Sequence, residues 1–431
     1  MTEQASMSPQ RDRIAPRYGQ SAERPGAPWD SGDDPRITAI EAFVTAPDDV
    51  NLVIVRVRTS EDGLYGYGCA TFTQRAHAVV EVIERYLAPL LVGRSAGDSS
   101  DIWQVAYVDS YWRGGPVLHS AIAGVDEALW DIRGRRAGLP VWQLLGGRVR
   151  SHAEAYTHAS GRDLPELLDQ VEACVDAGYR HVRCQVTVPG TSTYGAAQHS
   201  STDSFWEPER YLDLVPEMLA AVNDRFGPEV RVLHDVHERL TPQEMARLLT
   251  RLDESQLFFI EDPVAPEDVA WLPRLRDLTT IPLAYGELVT DIADFVPLVT
   301  GRQIDVVRAH LSAIGGLTPA IRLASLAEMH GVGFAWHGPR DVSPIGHAVS
   351  LALDLASPAF TVHEHFEFSE GAQEVFPGTF TTTGGVIGPS DQPGLGVDFD
   401  AERAKKFPPV DSTSTWHYSR VRRRGGAVQR P

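Results

Sequence analysis

The chain has 431 residues, 42% of them hydrophobic, with 58 Asp and Glu against 39 Lys and Arg and a formal net charge of −19. Such a length holds a large core, and such a charge argues against a nucleic-acid or anionic-membrane surface, which needs a basic patch. Three scattered cysteines, Cys69, Cys174 and Cys184, exclude a disulfide framework and a zinc ribbon and fit a reduced, cytoplasmic setting.

No apolar run reaches transmembrane length and no signal-peptide core is found. Residues 1–35 are rich in Pro, Ser, Arg and Asp without apolar periodicity, and read as a disordered arm. From residue 36 to 150 an α+β region is expected. Two β-like runs, 37–45 and 51–58, lead through Glu61-Asp62-Gly63 to a third, and helical patterns follow at 75–91 and 120–137. The second helix carries Ala-Gly-Val-Asp-Glu-Ala-Leu-Trp-Asp, whose small residues suggest close packing.

From residue 151 strands and helices alternate. Eight strands are expected at 153–158, 181–186, 230–236, 257–261, 282–287, 304–310, 331–337 and 359–365. Helices are expected at 164–177, 208–225, 241–253, 291–299, 318–330 and 343–355, with Thr241-Pro242-Gln243-Glu244 a capping box. This is the pattern of a (β/α) barrel over residues 151–385. The connection 187–206 is long, polar and rich in Gly and Ser, which suits a functional loop. Residues 386–431 form a C-terminal segment expected to return to the first region. The basic run at 420–424 reads as a solvated, flexible tail.

Asp235, Glu261 and Glu287 stand at a constant interval of 26 residues, and each closes an apolar run. In a parallel barrel the C-terminal strand ends meet on one face, where active sites sit. Three hard oxygen ligands there suit a magnesium ion. The bland alternative, three acids that cap helices or pair with Arg, is weakened by the equal spacing. His237 follows Asp235 by two residues and is expected on the same face, with His234 pointing away.

On these residues the chain resembles the enolase superfamily, from about residue 36 to 416. The likeness rests on the α+β cap, the barrel, Ala-Leu-Trp-Asp (128–131) and the Asp/Glu/Glu set. Within it the chain is similar to the D-mannonate dehydratase family, through His-Asp-Val-His-Glu-Arg-Leu-Thr-Pro (234–242), Glu-Asp-Pro (261–263), His-Gly-Pro-Arg-Asp-Val-Ser-Pro (337–344) and Glu364. Arg183-Cys184-Gln185 stands where many relatives have Lys-x-Lys. The resemblance implies an α/β fold, an enolase-type (β/α) barrel with an α+β cap, and a magnesium-dependent sugar-acid dehydratase.

It also implies the site. Asp235, Glu261 and Glu287 would hold the metal. Tyr194, paired with Arg183, would be the general base, and His237 the acid that protonates the departing 3-hydroxyl. Asn51, His158, Arg308, His337, Asp341, Glu364 and Trp416 would touch the substrate. The expected reaction takes D-mannonate to 2-keto-3-deoxy-D-gluconate through a metal-stabilised enediolate. Another aldonate such as D-gluconate is the alternative, and a sugar-acid-binding or regulatory protein that lost turnover is the rival of another class. Arg340 adds a bulky cation beside the pocket. A homo-oligomer is expected, with the arm contributing contacts; a 47 kDa monomer in light scattering would contradict it.

Overall fold

The computed structural model describes residues 29, 32–188, 205–253, 257–411 and 421–429. Tyr194 and Trp416 lie outside these residues, as does most of the N-terminal arm.

The first region is a three-stranded antiparallel sheet, β1 (Ile37–Thr45), β2 (Leu52–Thr59) and β3 (Tyr65–Cys69). A helix that the sequence reading omitted, Ser99–Val108, buries Ile102, Trp103 and Ala106. The helix Pro116–Ala137 starts four residues before its expected first turn, at a proline suited to that position. It lies against β3 with almost no room between them. A Cβ on Gly68 would sit 2.1 Å from the Gly124 carbonyl oxygen, and one on Gly66 would sit 2.2 Å from that of Ala128. Backbone cannot yield as a side chain can. Gly68→Ala should therefore lose roughly 1–3 kcal/mol or more of stability; an unchanged urea midpoint would contradict this packing.

Packing is not the whole explanation of that helix. Its buried acids tie three parts of the chain together. Glu127 accepts from the Cys69 N–H at 2.8 Å, Asp131 from the N–H groups of Tyr67 (3.0 Å) and Leu395 (2.8 Å), and Asp126 from the Thr318 N–H (2.8 Å). A buried polar group left without its partner costs more than the bond is worth, so these ties fix how cap and barrel sit.

Eight parallel strands follow: β4 (Ala153–Gly161), β5 (His181–Val186), β6 (Arg231–Asp235), β7 (Phe259–Glu261), β8 (Leu283–Tyr285), β9 (Val306–Val307), β10 (Gly333–Phe334) and β11 (His363–Glu364). Each pairs with its neighbour in sequence order, β11 pairs with β4, and a parallel bridge between Phe334 and Phe360 closes the ring. Strand β12 (Val386–Ile387) lies antiparallel on β4. Helices cover the outside at Leu164–Asp176, Pro208–Phe226, Pro242–Leu249, Ile292–Thr300, Leu317–His330 and Pro344–Ala356. The capping box at Thr241 and Glu244 is complete in both directions. The connection between β7 and β8 is a 3₁₀ stretch, Pro266–Trp271, running into Leu272–Arg276.

Inside the barrel Tyr156, Leu233, Phe259, Ala284, Val306, Ala335 and Val362 form one buried layer. Strand side chains alternate with period two, so the residue two places further along each strand also points inward, one layer nearer the C-terminal rim. Those residues are His158, Asp235, Glu261, Gly286, Arg308, His337 and Glu364. An apolar plug thus supports a polar ring.

After β12 the chain returns to the cap, where the Tyr67 hydroxyl donates to the Phe399 carbonyl. Residues 421–429 then pack on the barrel, so the basic run expected as a solvated tail is folded from Val421 to Arg424. Among the described residues no helix is long and apolar enough to cross a membrane.

Candidate active site

The polar ring is held by two buried arginines. Arg183, on β5, donates to Asp235 Oδ2 at 2.8 Å. Arg308 is fully buried and donates from Nε to Glu261 Oε1 (2.8 Å), from Nη1 to the carbonyls of Ala335 (2.6 Å) and Trp336 (2.9 Å), and from Nη2 to Glu364 Oε2 (2.8 Å) and the Tyr156 hydroxyl (2.9 Å). All five of its N–H groups are used. In this arrangement Arg308 locks Glu261 and Glu364 in place from below.

Asp235 and Glu261 end adjacent strands and are register partners. Glu287 lies one residue past the position that alternation assigns to the ring. Gly286, at φ 130°, makes the bend that brings it in, and its N–H donates to Asp262 Oδ1 at 2.8 Å. His237 is placed by a left-handed turn, with φ 51° at His237 and 58° at Glu238, rather than by strand alternation. Its N–H donates to Asp235 Oδ1 (2.7 Å) and its Nε2 lies 2.8 Å from Asp235 Oδ2. Gln185 Nε2 meets His237 Nδ1 at 3.2 Å and the Asp235 carbonyl at 3.3 Å. His337 Nε2 is 3.4 Å from Glu287 Oε1, and His158 Nε2 is 2.9 Å from Glu364 Oε1.

Asp235, His237 and Glu287 have ligand atoms within 4.8 Å of one another, and so do Glu261, Glu287 and His337. The two groups share Glu287, so all three expected acids face one region. The pocket is strongly anionic. Burial, with Asp235, Asp262, Glu261 and Glu238 facing it, pushes the Glu287 carboxyl well above its usual range. Burial pushes Glu261 up to about 8, against Arg308 and with Asp235. Asp235 is held low despite its burial, because His237 and Arg183 contact it. Glu261 Oε2 is buried with no hydrogen-bond partner. An orphaned carboxylate oxygen in a crowd of acids fits a cation, and the oxygen-rich donor set fits a hard one such as magnesium.

Two other residues expected at the site are placed as follows. Asn51 donates to the Val410 carbonyl at 2.8 Å and accepts from the Val410 N–H at 2.9 Å, and so clamps the C-terminal segment. Asp341 is close by sequence to the β10 rim, and its Oδ1 is buried without a partner. His234 points outward, to Tyr211 and the Cys184 carbonyl, as alternation predicts. Sequence reasoning passed over Gln185, Tyr156 and His310, whose ring centroid lies 5.6 Å from that of His337. Alternation from His158 and Arg308 would have found Tyr156 and His310, and Gln185 follows in the same way from Arg183.

Family models match both parts of the chain. The mandelate racemase / muconate lactonizing enzyme N-terminal domain matches residues 33–146, and the enolase C-terminal domain-like model matches residues 166–404. A D-galactonate dehydratase family member of Catenulispora acidiphila is 45% identical over 410 residues, 94% of this chain and 96% of that protein. The chain belongs to the D-galactonate dehydratase family of the enolase superfamily. Another D-galactonate dehydratase family member, RspA of Pantoea ananatis, is 40% identical over 92% of this chain and 99% of its own length. A crystal structure of an enolase from Pantoea ananatis with bound D-gluconate and magnesium superposes with a TM-score of 0.88 at 40% identity, covering 92% of this chain and all of that one. The enolase-type barrel with its cap is thus shared with this family over nearly the whole chain, and the family these relatives carry is D-galactonate dehydratase, not the D-mannonate dehydratase family expected from the sequence.

Proposed function

We propose that this protein is a magnesium-dependent aldonate dehydratase acting on a six-carbon sugar acid, D-mannonate or D-gluconate. The observation that carries the reading is the convergence of Asp235, Glu261 and Glu287 on one rim, beside Arg183 and His237. The D-gluconate and magnesium bound by the Pantoea ananatis enolase support it.

The proton next to a carboxylate is very weakly acidic. A magnesium ion held by Asp235, Glu261 and Glu287 would supply Lewis-acid stabilisation of the charge that develops on that carboxylate. This chain's own groups do the rest. Tyr194, outside the described residues, takes the C2 proton, and the Arg183 cation lowers its phenol from the usual value of about 10. His237 gives a proton to the departing 3-hydroxyl. His158, His337, Asp341 and Glu364 line the rim, where a polyhydroxy acid needs many polar partners. Trp416, outside the described residues, is retained as a further contact.

A panel of aldonates assayed for keto acid, with magnesium and with chelator, tests this. The proposal expects magnesium-dependent 2-keto-3-deoxy product from D-mannonate or D-gluconate. Binding of an aldonate without any turnover would favour the sugar-acid-binding alternative, and neither binding nor turnover would sink both.

A further inference from the structure

The C-terminal residues 421–429 contact, from outside the barrel, segments next to those that carry the candidate site. They form a small hairpin. The Arg423 N–H donates to the Ala427 carbonyl (2.9 Å) and the Gln429 N–H to that of Val421 (2.9 Å). Gly426, at φ 87°, supplies the turn. The hairpin then pairs with the segment just before the helix Pro208–Phe226: Arg423 bridges Trp206 in parallel, and the Trp206 N–H donates to the Arg422 carbonyl at 2.8 Å.

Two routes lead from this hairpin to the site. The first runs through Gln429, a buried polar side chain near the end of the chain. Its Nε2 donates to the Arg239 carbonyl at 3.0 Å, and its Oε1 accepts from Arg423 Nε at 2.7 Å. Arg239 closes the turn that carries His237 and Glu238, both with left-handed backbone. Non-glycine residues keep such a conformation only where the surroundings over-determine it. The second runs through Trp206, whose ring packs on Tyr211 with centroids 5.5 Å apart. The Tyr211 hydroxyl meets His234 Nε2 at 2.7 Å, and His234 Nδ1 lies 3.0 Å from the Cys184 carbonyl. His234 and Cys184 are the chain neighbours of Asp235 and Arg183. Ion pairs of Arg424 with Glu207 and of Arg423 with Glu244 lie at the exposed margin and add little.

We propose that residues 421–429 are a strap that positions the candidate site, with Gln429 a positioning residue for the 236–240 turn and so for His237. The proposal rests on the dehydratase reading for its effect on turnover, but its structural content is separate. Gln429→Leu in the full chain removes both side-chain hydrogen bonds at similar volume. It should lower kcat roughly 10-fold, the scale of a lost supporting contact, with KM for the aldonate and the magnesium Kd changed less than about 3-fold. Amide hydrogen exchange should speed up at 236–240 and stay unchanged in β2. Unchanged exchange at 236–240 overturns the strap. A uniform loss of protection together with a lowered melting temperature overturns the positioning role in favour of a merely structural one. Deletion of residues 421–431 should extend the faster exchange to 205–207; unchanged exchange there overturns the Trp206 route. A wild-type protein inactive on every aldonate would sink the proposed function, while the exchange data would still decide the strap.

Discussion

Replacing Glu261 by Gln is expected to weaken magnesium binding at least about 10²-fold, since even outer-shell changes at metal sites cost 10- to 100-fold. The fold should not suffer. The Gln carbonyl oxygen can still accept from Arg308 Nε, which stands 2.8 Å from Glu261 Oε1. Arg308 also keeps Glu364, the Tyr156 hydroxyl and two backbone carbonyls. Burial already penalises the charged form of Glu261, so a neutral isostere removes that penalty. The melting temperature in the absence of metal should therefore stay level or rise while magnesium affinity and turnover collapse. Calorimetric titration and a thermal melt measure the two. Unchanged affinity would remove Glu261 from the ligand set.

The second large effect is expected at His237. Changing it to Asn keeps a polar side chain but removes the proton donor, and general-acid catalysis contributes roughly 10²–10⁴-fold. Loss of dehydration on that scale is expected. In the proposed mechanism proton abstraction at C2 would depend on Tyr194 and Arg183, which the change leaves in place. Exchange of the C2 proton with deuterium oxide, followed by NMR, should survive. In the structure burial brings the His237 imidazole down to about 4, against the pull of Asp235. An incoming aldonate carboxylate would favour its protonated form. Full dehydration activity in His237→Asn would exclude the role. Loss of both reactions would instead assign His237 to orienting Asp235, 2.8 Å away.

These two residues also show how far the sequence could be read. Asp235 and Glu261 were legible because they end apolar runs, and a parallel barrel sends strand ends to one rim. The ring as a whole follows from the period of two above the layer that runs from Tyr156 to Val362. Glu287 has the right spacing for a different reason, since the Gly286 bend carries it in. His237 was found on the wrong argument, because its turn has left-handed backbone that no period describes. Arg308 and Asn51 show a further limit. A polar residue aimed inward looks the same in sequence whether it waits for a ligand or is already satisfied by the protein. Here Arg308 spends every donor on the barrel, and Asn51 spends its amide on Val410. The strap was illegible for a related reason. A run of Arg beside two Gly reads as a solvated tail, and only the backbone pairing with Trp206 and the buried Gln429 show that it is folded.

The most direct measurement of the central claim is a crystal structure grown with manganese in place of magnesium and recorded for anomalous scattering. The account predicts one peak on the C-terminal rim, bonded to an oxygen from each of Asp235, Glu261 and Glu287. A peak elsewhere, or any two of those carboxylates turned away from a common point, would contradict it.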